Sequence, residues 1–485
     1  MSEDLENLNI KIKNGLFWIA STTIIWQLAS WILTIWTARI LNPQDYGLLA
    51  ISDSLFPYLL MLTTIKLDEW LIQRKSVSED DYKKTQSILI VFGIFTTLLA
   101  IIGSPIIASI YNHPELGFPL QCVALIFIPR ALRVIPEVRL KRDIKFKQIA
   151  LSNLTLGITR GVIQIILALF GFSFWSLIIG GIFFEITTTA WLAKVSGIAK
   201  GFSLDKQIIK ESLKFGFTSL ASYIFWIIFT TADNLVVGKL FGVEFLGYYS
   251  MAYFLSDLPL SKLNSILSPV VLPYYSRVKD QENILKDAFM KINRYLFAIV
   301  SPVLLGLSLT ADQIIPLCFG EKWSNMIYPL QILSIVGIIR TLTANISLIF
   351  LALGKPQLIF KVTAISALVL PLCFYFLGKY FGVNGIFFSW LLIYPLIGPF
   401  ALIKLLKTEI NLSSREFLRN LFPPILSLFS LLIAVLLFKS VLDFAPLINL
   451  SILISVGACS YFLSYYLIDK RDFQQIIRLI RNKEI

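Results

Sequence analysis

The sequence predicts an all-α polytopic membrane protein of about fourteen transmembrane helices, built as two parallel six-helix repeats followed by two additional helices. Composition, the spacing of apolar stretches and an internal repeat carry that prediction. Of the 485 residues, 56% are hydrophobic and 15% charged, and the mean hydropathy is +0.75. A single water-soluble core cannot bury so much apolar surface. A bilayer takes about 20 apolar residues per crossing helix, so fourteen spans fit within this length.

The apolar stretches fall at about 16–37, 48–65, 87–110, 119–135, 148–170, 174–193, 215–238, 247–271, 293–311, 327–352, 358–377, 383–403, 421–438 and 447–468. The first follows Lys11 and Lys13 and has no small-residue cleavage site, so the expectation is a retained helix and not a cleaved signal peptide. With the N-terminus placed in the cytoplasm, inner segments hold 33 of the 43 Lys and Arg and outer loops hold five: Arg39, Lys239, Lys322, Lys379 and Lys439. Inner clusters include Arg139, Lys141, Arg142, Lys145 and Lys147, and at the C-terminal end Lys470, Arg471, Arg478, Arg481 and Lys483. Such asymmetry orients a membrane protein with both termini inside, and it accounts for most of the +13 net charge. The excess therefore points to anionic lipid and not to nucleic acid. One histidine, His113, and four scattered cysteines argue against metal or disulfide chemistry.

The repeat shows in "PLQCVALIFIPRAL" (119–132) over "PLQILSIVGIIRTL" (329–342), which aligns Pro119 with Pro329, Gln121 with Gln331 and Arg130 with Arg340. "ARILNPQDYGLLA" (38–50) lies over "GKLFGVEFLGYYS" (238–250), aligning Arg39 with Lys239 and Gly47 with Gly247, and "FGFSFW" near 170 lies over "FGVNGI" near 381. Each copy holds an even number of spans, so both start at the same membrane face, which is the parallel-repeat plan of secondary transporters. The expected organisation is an N-terminal lobe over 1–200, a C-terminal lobe over 201–410, and two helices with a cytoplasmic tail over 411–485.

The segment "FGFTSLASYIFWIIFTTADNLVVGKLFGVEFLGYYSMAYFLSDLP" (215–259) resembles the central signature of bacterial Wzx-type oligosaccharide flippases. "ARILNPQDYGLLA", "LIQRKSVSEDD" (71–81), "VIPEVRLKRDIKFKQIA" (134–150), "ALFGFSFWSL" (168–177) and "GEKWSNMIYPLQIL" (320–333) are similar echoes in the same order. These flippases belong to the polysaccharide transporter branch of the multidrug, oligosaccharidyl-lipid and polysaccharide exporter superfamily. The resemblance implies two lobes around a central cavity, alternating access, and movement of an undecaprenyl-diphosphate-linked oligosaccharide between the leaflets of the bacterial inner membrane. It also implies contacts with polysaccharide assembly proteins, and no cofactor. One departure is "KLDEW" (66–70), where the resemblance leads one to expect a small, glycine-rich, uncharged stretch.

Ionisable groups near the bilayer centre cost about 3 kcal/mol each on insertion scales and face a cavity or a partner. The central ones are Arg130, Arg160, Glu185, Asp257, Lys262 and Arg340, four basic and two acidic. A cavity with that balance suits an anion, and arginine's planar fork matches a diphosphate. Repeat symmetry places Arg130 and Arg340 on opposite sides of such a cavity. The structural alternatives are snorkelling of Arg130 and Arg133 to headgroups and pairing of Arg160 with Glu185. Asp257 and Lys262 lie about 140° apart around their helix, so each is expected to find another partner. Asp53 and Asp233, nearer the outer ends of their spans, are candidates for a coupling H+ or Na+, or for hydrogen bonding between helices.

Three competing readings share these features. A multidrug exporter of the same superfamily would favour acidic residues for cationic drugs, a lipid II flippase follows the same anionic logic, and a membrane glycan polymerase or ligase needs an exposed catalytic site. The longest predicted outer loop, 312–326, offers Asp312, Glu321 and Lys322 without paired carboxylates and histidine, so the sequence reads as a transporter and not an enzyme.

Overall fold

The computed structural model describes residues 18, 22, 25–441 and 444–481; Lys11, Lys13, Lys483 and the opening residues of the first predicted span lie outside them. Among the described residues all regular structure is helical, and twelve helical stretches are long and apolar enough to cross a membrane. The chain divides by packing into two compact units, Met1–Gly247 and Tyr248–Ile485.

In the first unit, α1 (Pro43–Thr64) opens with proline at its first position, where a missing N–H costs nothing. Asp45 accepts the Asn42 N–H at 2.8 Å and receives the Ser173 hydroxyl at its other oxygen, tying this helix start to a distant turn. The helix ends at Ile65 (φ 42°) and Lys66 (φ 56°), both left-handed, before α2 (Leu67–Gln73). The bend at "KLDEW" is thus made without glycine. Ile65 is held there by burial against Met61 and Ile227, and Lys66 by Glu69 at 2.5 Å and the Tyr223 ring at 4.6 Å.

Helix α3 (Glu79–Ile110) follows, and the fourth predicted span is broken into α4 (Gly117–Ala124) and α5 (Phe127–Arg142). Pro129 supplies the reason, since it offers no N–H to the carbonyl four residues back and crowds it. Hydroxyls satisfy neighbouring carbonyls: Thr97 donates to the Ala124 oxygen at 3.3 Å and Thr189 to that of Pro129 at 3.0 Å. Helices α6 (Phe146–Leu169) and α7 (Phe174–Ser196) form a hairpin, and α8 (Lys206–Phe241) packs on α1, where Tyr58 and Thr231 share a hydrogen bond of 3.0 Å. That packing places the seventh predicted span with the first unit.

Helix α9 (Val243–Val278) begins against α1 so closely that backbones touch. A Cβ on Gly47 would lie 1.8 Å from the Val243 carbonyl oxygen, and one on Gly247 would lie 1.8 Å from that of Pro43. The contact is reciprocal, and its two glycines are 200 residues apart, the offset at which 38–50 lies over 238–250. Helix α9 is 36 residues long but carries three internal prolines and four charged residues, and it is not among the twelve apolar candidates.

In the second unit, α10 (Glu282–Leu309) is followed by a segment predicted as an exposed loop. It forms α11 (Ala311–Phe319) and a 3-10 turn (Glu321–Met326), with Ile315, Phe319, Trp323 and Met326 buried. Apolar side chains at helical spacing override the polar Asp312, Glu321 and Lys322. The tenth predicted span becomes α12 (Ile327–Thr343) and α13 (Ile346–Ala352), broken at Asn345, whose amide donates to the buried Tyr275 hydroxyl at 2.7 Å. Helix α14 (Pro356–Phe381) leads into α15 (Val383–Phe388), a π-helical turn (Ser389–Ile393), α16 (Tyr394–Ile397) and α17 (Pro399–Ile410).

After the short α18 (Ser414–Asn420), α19 (Phe422–Lys439) and α20 (Pro446–Ile468) form the appended hairpin. Gly457 permits its close approach, 3.0 Å from a would-be Cβ to Val435. A cavity of about 760 Å³ opens between this hairpin and α10, lined by Ile299, Val303, Leu431, Val435, Leu453 and Tyr461 among others. At one end Lys439 pairs with Asp312 at 2.7 Å; at the other Arg294 pairs with Asp469 at 2.6 Å and Asp472 at 3.1 Å, anchoring the amphipathic α21 (Lys470–Arg481).

Candidate functional site

Some of the charged side chains in the spans gather, Arg130, Arg133 and Glu185 in the first unit and Asp257 and Arg340 in the second. In the first, Arg130, Arg133 and Glu137 share a face of α5 at spacings of three and four. Glu185 on α7 meets them: Arg133 donates to it at 3.1 Å, and Arg130 stands 3.7 Å from its other oxygen. Glu137 lies 3.6 Å from Arg133 and 2.8 Å from Lys141. Thr189, one turn beyond Glu185, bridges the Glu185 and Pro129 carbonyls and so fixes α7 against the break that presents Arg130.

Arg160 on α6 forms no ion pair within 4 Å among the described residues. Its guanidinium lies 5.9 Å from the Phe184 ring, and its charge acts on both Asp53 and Glu185. Pairing of Arg160 with Glu185 is thus replaced by Arg130 and Arg133 on Glu185, because α5 presents two guanidinium groups where α6 presents one. Asp53 is exposed on α1, while Asp233 on α8 is 1% exposed.

In the second unit Arg340 occupies the last turn of α12, where the C-terminal carbonyls favour a cation. Asp257 on α9 stands 3.7 Å from it. The Tyr253 ring, one turn before Asp257, lies 4.6 Å from the guanidinium carbon, and the Trp390 ring from the π-helical turn lies 4.5 Å away. Lys262 is half-buried on α9, and no carboxylate among the described residues pairs with it. Asp257 and Lys262 do not meet, as their angular separation requires.

Sequence reasoning found Arg130, Glu185, Arg340 and Asp257 but not the partners that define their surroundings. Nothing in the sequence singles out Glu137 or Trp390, and Arg133 reads there as a snorkelling side chain. The spacing of Tyr253 and Asp257 by four residues was a usable signal for the former.

A family model described as "Polysaccharide biosynthesis protein" matches residues 37–328, more than half of the chain, all of the first cluster and the α9 side of the second. The chain belongs to this family. It is a Wzx-type flippase, a multi-pass membrane transporter and not an enzyme. The flippase is 24% identical to the lipopolysaccharide biosynthesis protein WzxC of Escherichia coli (strain K12) over 86% of this chain and 85% of that protein. It is 25% identical to the teichuronic acid biosynthesis protein TuaB of Bacillus subtilis (strain 168) over 60% of each chain. Its fold is that of the lipid II flippase MurJ in an inward closed conformation, with a TM-score of 0.75 at 17% identity, covering 94% of this chain and 100% of that one. An inward-facing transporter of the multidrug resistance MATE family follows at a TM-score of 0.59 and 15% identity, covering 83% of this flippase and 95% of that chain. Arg130, Arg160 and Glu185 of the flippase fall inside the matched family region, as do Asp257 and Lys262, whereas Arg340 and Trp390 lie beyond it.

Proposed function

We propose that this flippase moves an undecaprenyl-diphosphate-linked oligosaccharide from the inner to the outer leaflet of the bacterial cytoplasmic membrane by alternating access, with both termini in the cytoplasm. The observation that carries the reading is shared by the two clusters. Arg130 and Arg340, at repeat-related positions, each stand 3.7 Å from a carboxylate on another helix. That separation is too long for a direct hydrogen bond, so each arginine is attracted to its carboxylate without being locked onto it. A diphosphate offers more charge and a geometry that fits a guanidinium fork, and it displaces the carboxylate as it binds. Arg130 and Arg160 in the first unit, and Arg340 and Lys262 in the second, are the cationic residues of this proposal, while Glu185 and Asp257 hold the arginines between loads. The two lobes of the repeat, 1–200 and 201–410, supply one cluster each. The apolar cavity beside α19 and α20 suits a polyprenyl chain, since its walls are aliphatic and aromatic along their whole length. Asp53, in the field of Arg160, is the proposed site of proton or sodium coupling, with Asp233 as the second candidate.

The test is reconstitution in liposomes with undecaprenyl-diphosphate oligosaccharide, comparing wild type with Arg340→Ala and Lys262→Ala at matched protein levels. At least a tenfold loss of translocation in Arg340→Ala is the expected outcome; about 1.4 kcal/mol of lost anion binding suffices. Unchanged translocation in both variants sinks the cationic site. Export of a cationic dye by a wild type that leaves the lipid-linked glycan in place moves the function to drug extrusion.

A further inference from the structure

Two aromatic rings pack against the Arg340 guanidinium in addition to its carboxylate. Tyr253 at 4.6 Å and Trp390 at 4.5 Å lie against its guanidinium, their ring centroids 6.4 Å apart so that they approach it from adjacent sides at roughly a right angle, while Asp257 stands at 3.7 Å, beyond hydrogen-bond reach. The rings are themselves fixed. Trp390 is 1% exposed, its indole N–H donates to the buried Tyr249 hydroxyl at 2.9 Å, and its ring meets those of Phe374 and Tyr394 at 5.3 Å each. Tyr249, Tyr253 and Asp257 follow one another at spacings of four on α9, so one helix face carries the indole's acceptor, one ring of the clamp and the carboxylate. The π-helical turn over Ser389–Ile393 widens the helix where Trp390 enters, and such single turns recur at functional sites.

From this geometry we infer that Trp390 and Tyr253 are positioning residues that set the plane of the Arg340 guanidinium for the diphosphate of the substrate; the inference rests on the anion-binding reading above. Rings packed against two adjacent sides hinder the group from turning about its long axis, so its in-plane N–H donors keep one orientation. A bidentate contact to two phosphate oxygens depends on that orientation, and a planar cation packed against rings loses little freedom on binding. Lysine in place of Arg340 keeps the charge but has neither faces to clamp nor a fork to direct.

The experiment measures initial translocation rates against concentration of undecaprenyl-diphosphate oligosaccharide in liposomes holding wild type, Trp390→Leu, Trp390→Phe, Tyr253→Leu, Tyr253→Phe, Arg340→Lys and Arg340→Ala, with thermal unfolding of each variant alongside. Loss of one ring contact is expected to raise the half-saturating concentration by about tenfold while the limiting rate stays within about twofold. The Phe variants keep the rings and return toward wild type, and Arg340→Lys behaves as Arg340→Ala. Tyr253, half-buried, keeps the test alive if Trp390→Leu does not fold. If Arg340→Ala lowers translocation but both Leu variants saturate like wild type, the clamp is overturned and the anion site stands. If Arg340→Ala itself saturates like wild type, the underlying reading falls as well. A limiting rate that falls together with unfolding temperature in both Leu variants, at unchanged half-saturation, reduces the rings to packing and overturns the inference.

Discussion

Glu185 answers for two guanidinium groups, and that makes it the most exposed point of the first unit's electrostatics. Arg133, 8% exposed, has its closest contact there at 3.1 Å and a second carboxylate, Glu137, at 3.6 Å. Breaking a buried pair by removing one partner leaves an uncompensated charge, which is costlier than the pair itself was stabilising. Glu185→Gln is therefore expected to cost about 3 kcal/mol, read as a lowered unfolding temperature in detergent. Replacing Arg133 and Glu185 together by Met and Leu should cost less than Glu185→Gln alone. Equal losses for the single and the double variant would show that the charge on Glu185 is not what holds α5 to α7. Arg130 and Glu185 were each legible as an intramembrane charge because such residues are rare and stand out in an apolar run, although the sequence offered Arg160 as the partner of Glu185. Arg133 was not, since its position near a basic cluster suggested snorkelling, and only the turn of α5 directs it inward.

At the scale of elements, the reciprocal glycines at the start of α1 and α9 govern how closely two helices approach. A methyl on Gly47 or Gly247 would sit 1.8 Å from a carbonyl oxygen, a distance no side-chain adjustment relieves. Gly47→Ala and Gly247→Ala are each expected to destabilise by about 3 kcal/mol, the upper range for overpacking. Because both report on one contact, the double variant should fall well short of the sum. Full additivity in a double-mutant cycle would separate them into independent sites. The helix breaks follow a different logic. Pro129 was visible in the sequence and breaks the fourth span where proline must. The tenth span carries no proline at its break, and Asn345 reveals its role only through Tyr275, seventy residues away in the chain. Likewise the bend after α1 uses Ile65 and Lys66 in left-handed backbone, a strained choice for a β-branched residue that burial against Ile227 over-determines.

For the molecule as a whole, the appended hairpin explains itself through the apolar cavity it closes against α10. Val303 lines that cavity and is 53% exposed, so a larger ring there fills space without displacing packed neighbours. Val303→Trp is expected to leave the unfolding temperature unchanged and to lower translocation of the undecaprenyl-linked substrate about tenfold, roughly the loss of 1.4 kcal/mol of apolar contact. Undiminished translocation by that variant would exclude the cavity as the seat of the lipid chain.

By itself the sequence determined the class of solvent, the positions of most helices and the transporter family, because runs of about 20 apolar residues and their flanking charges are local properties that a bilayer reads segment by segment. It also marked which charges lie in the spans, since their cost there makes them conspicuous. Tertiary structure decided which of those charges meet, which rings pack against Arg340, and that 312–326 folds inward as helix. Those outcomes depend on the rotation and approach of helices far apart in the chain, and a few degrees of either exchanges one partner for another.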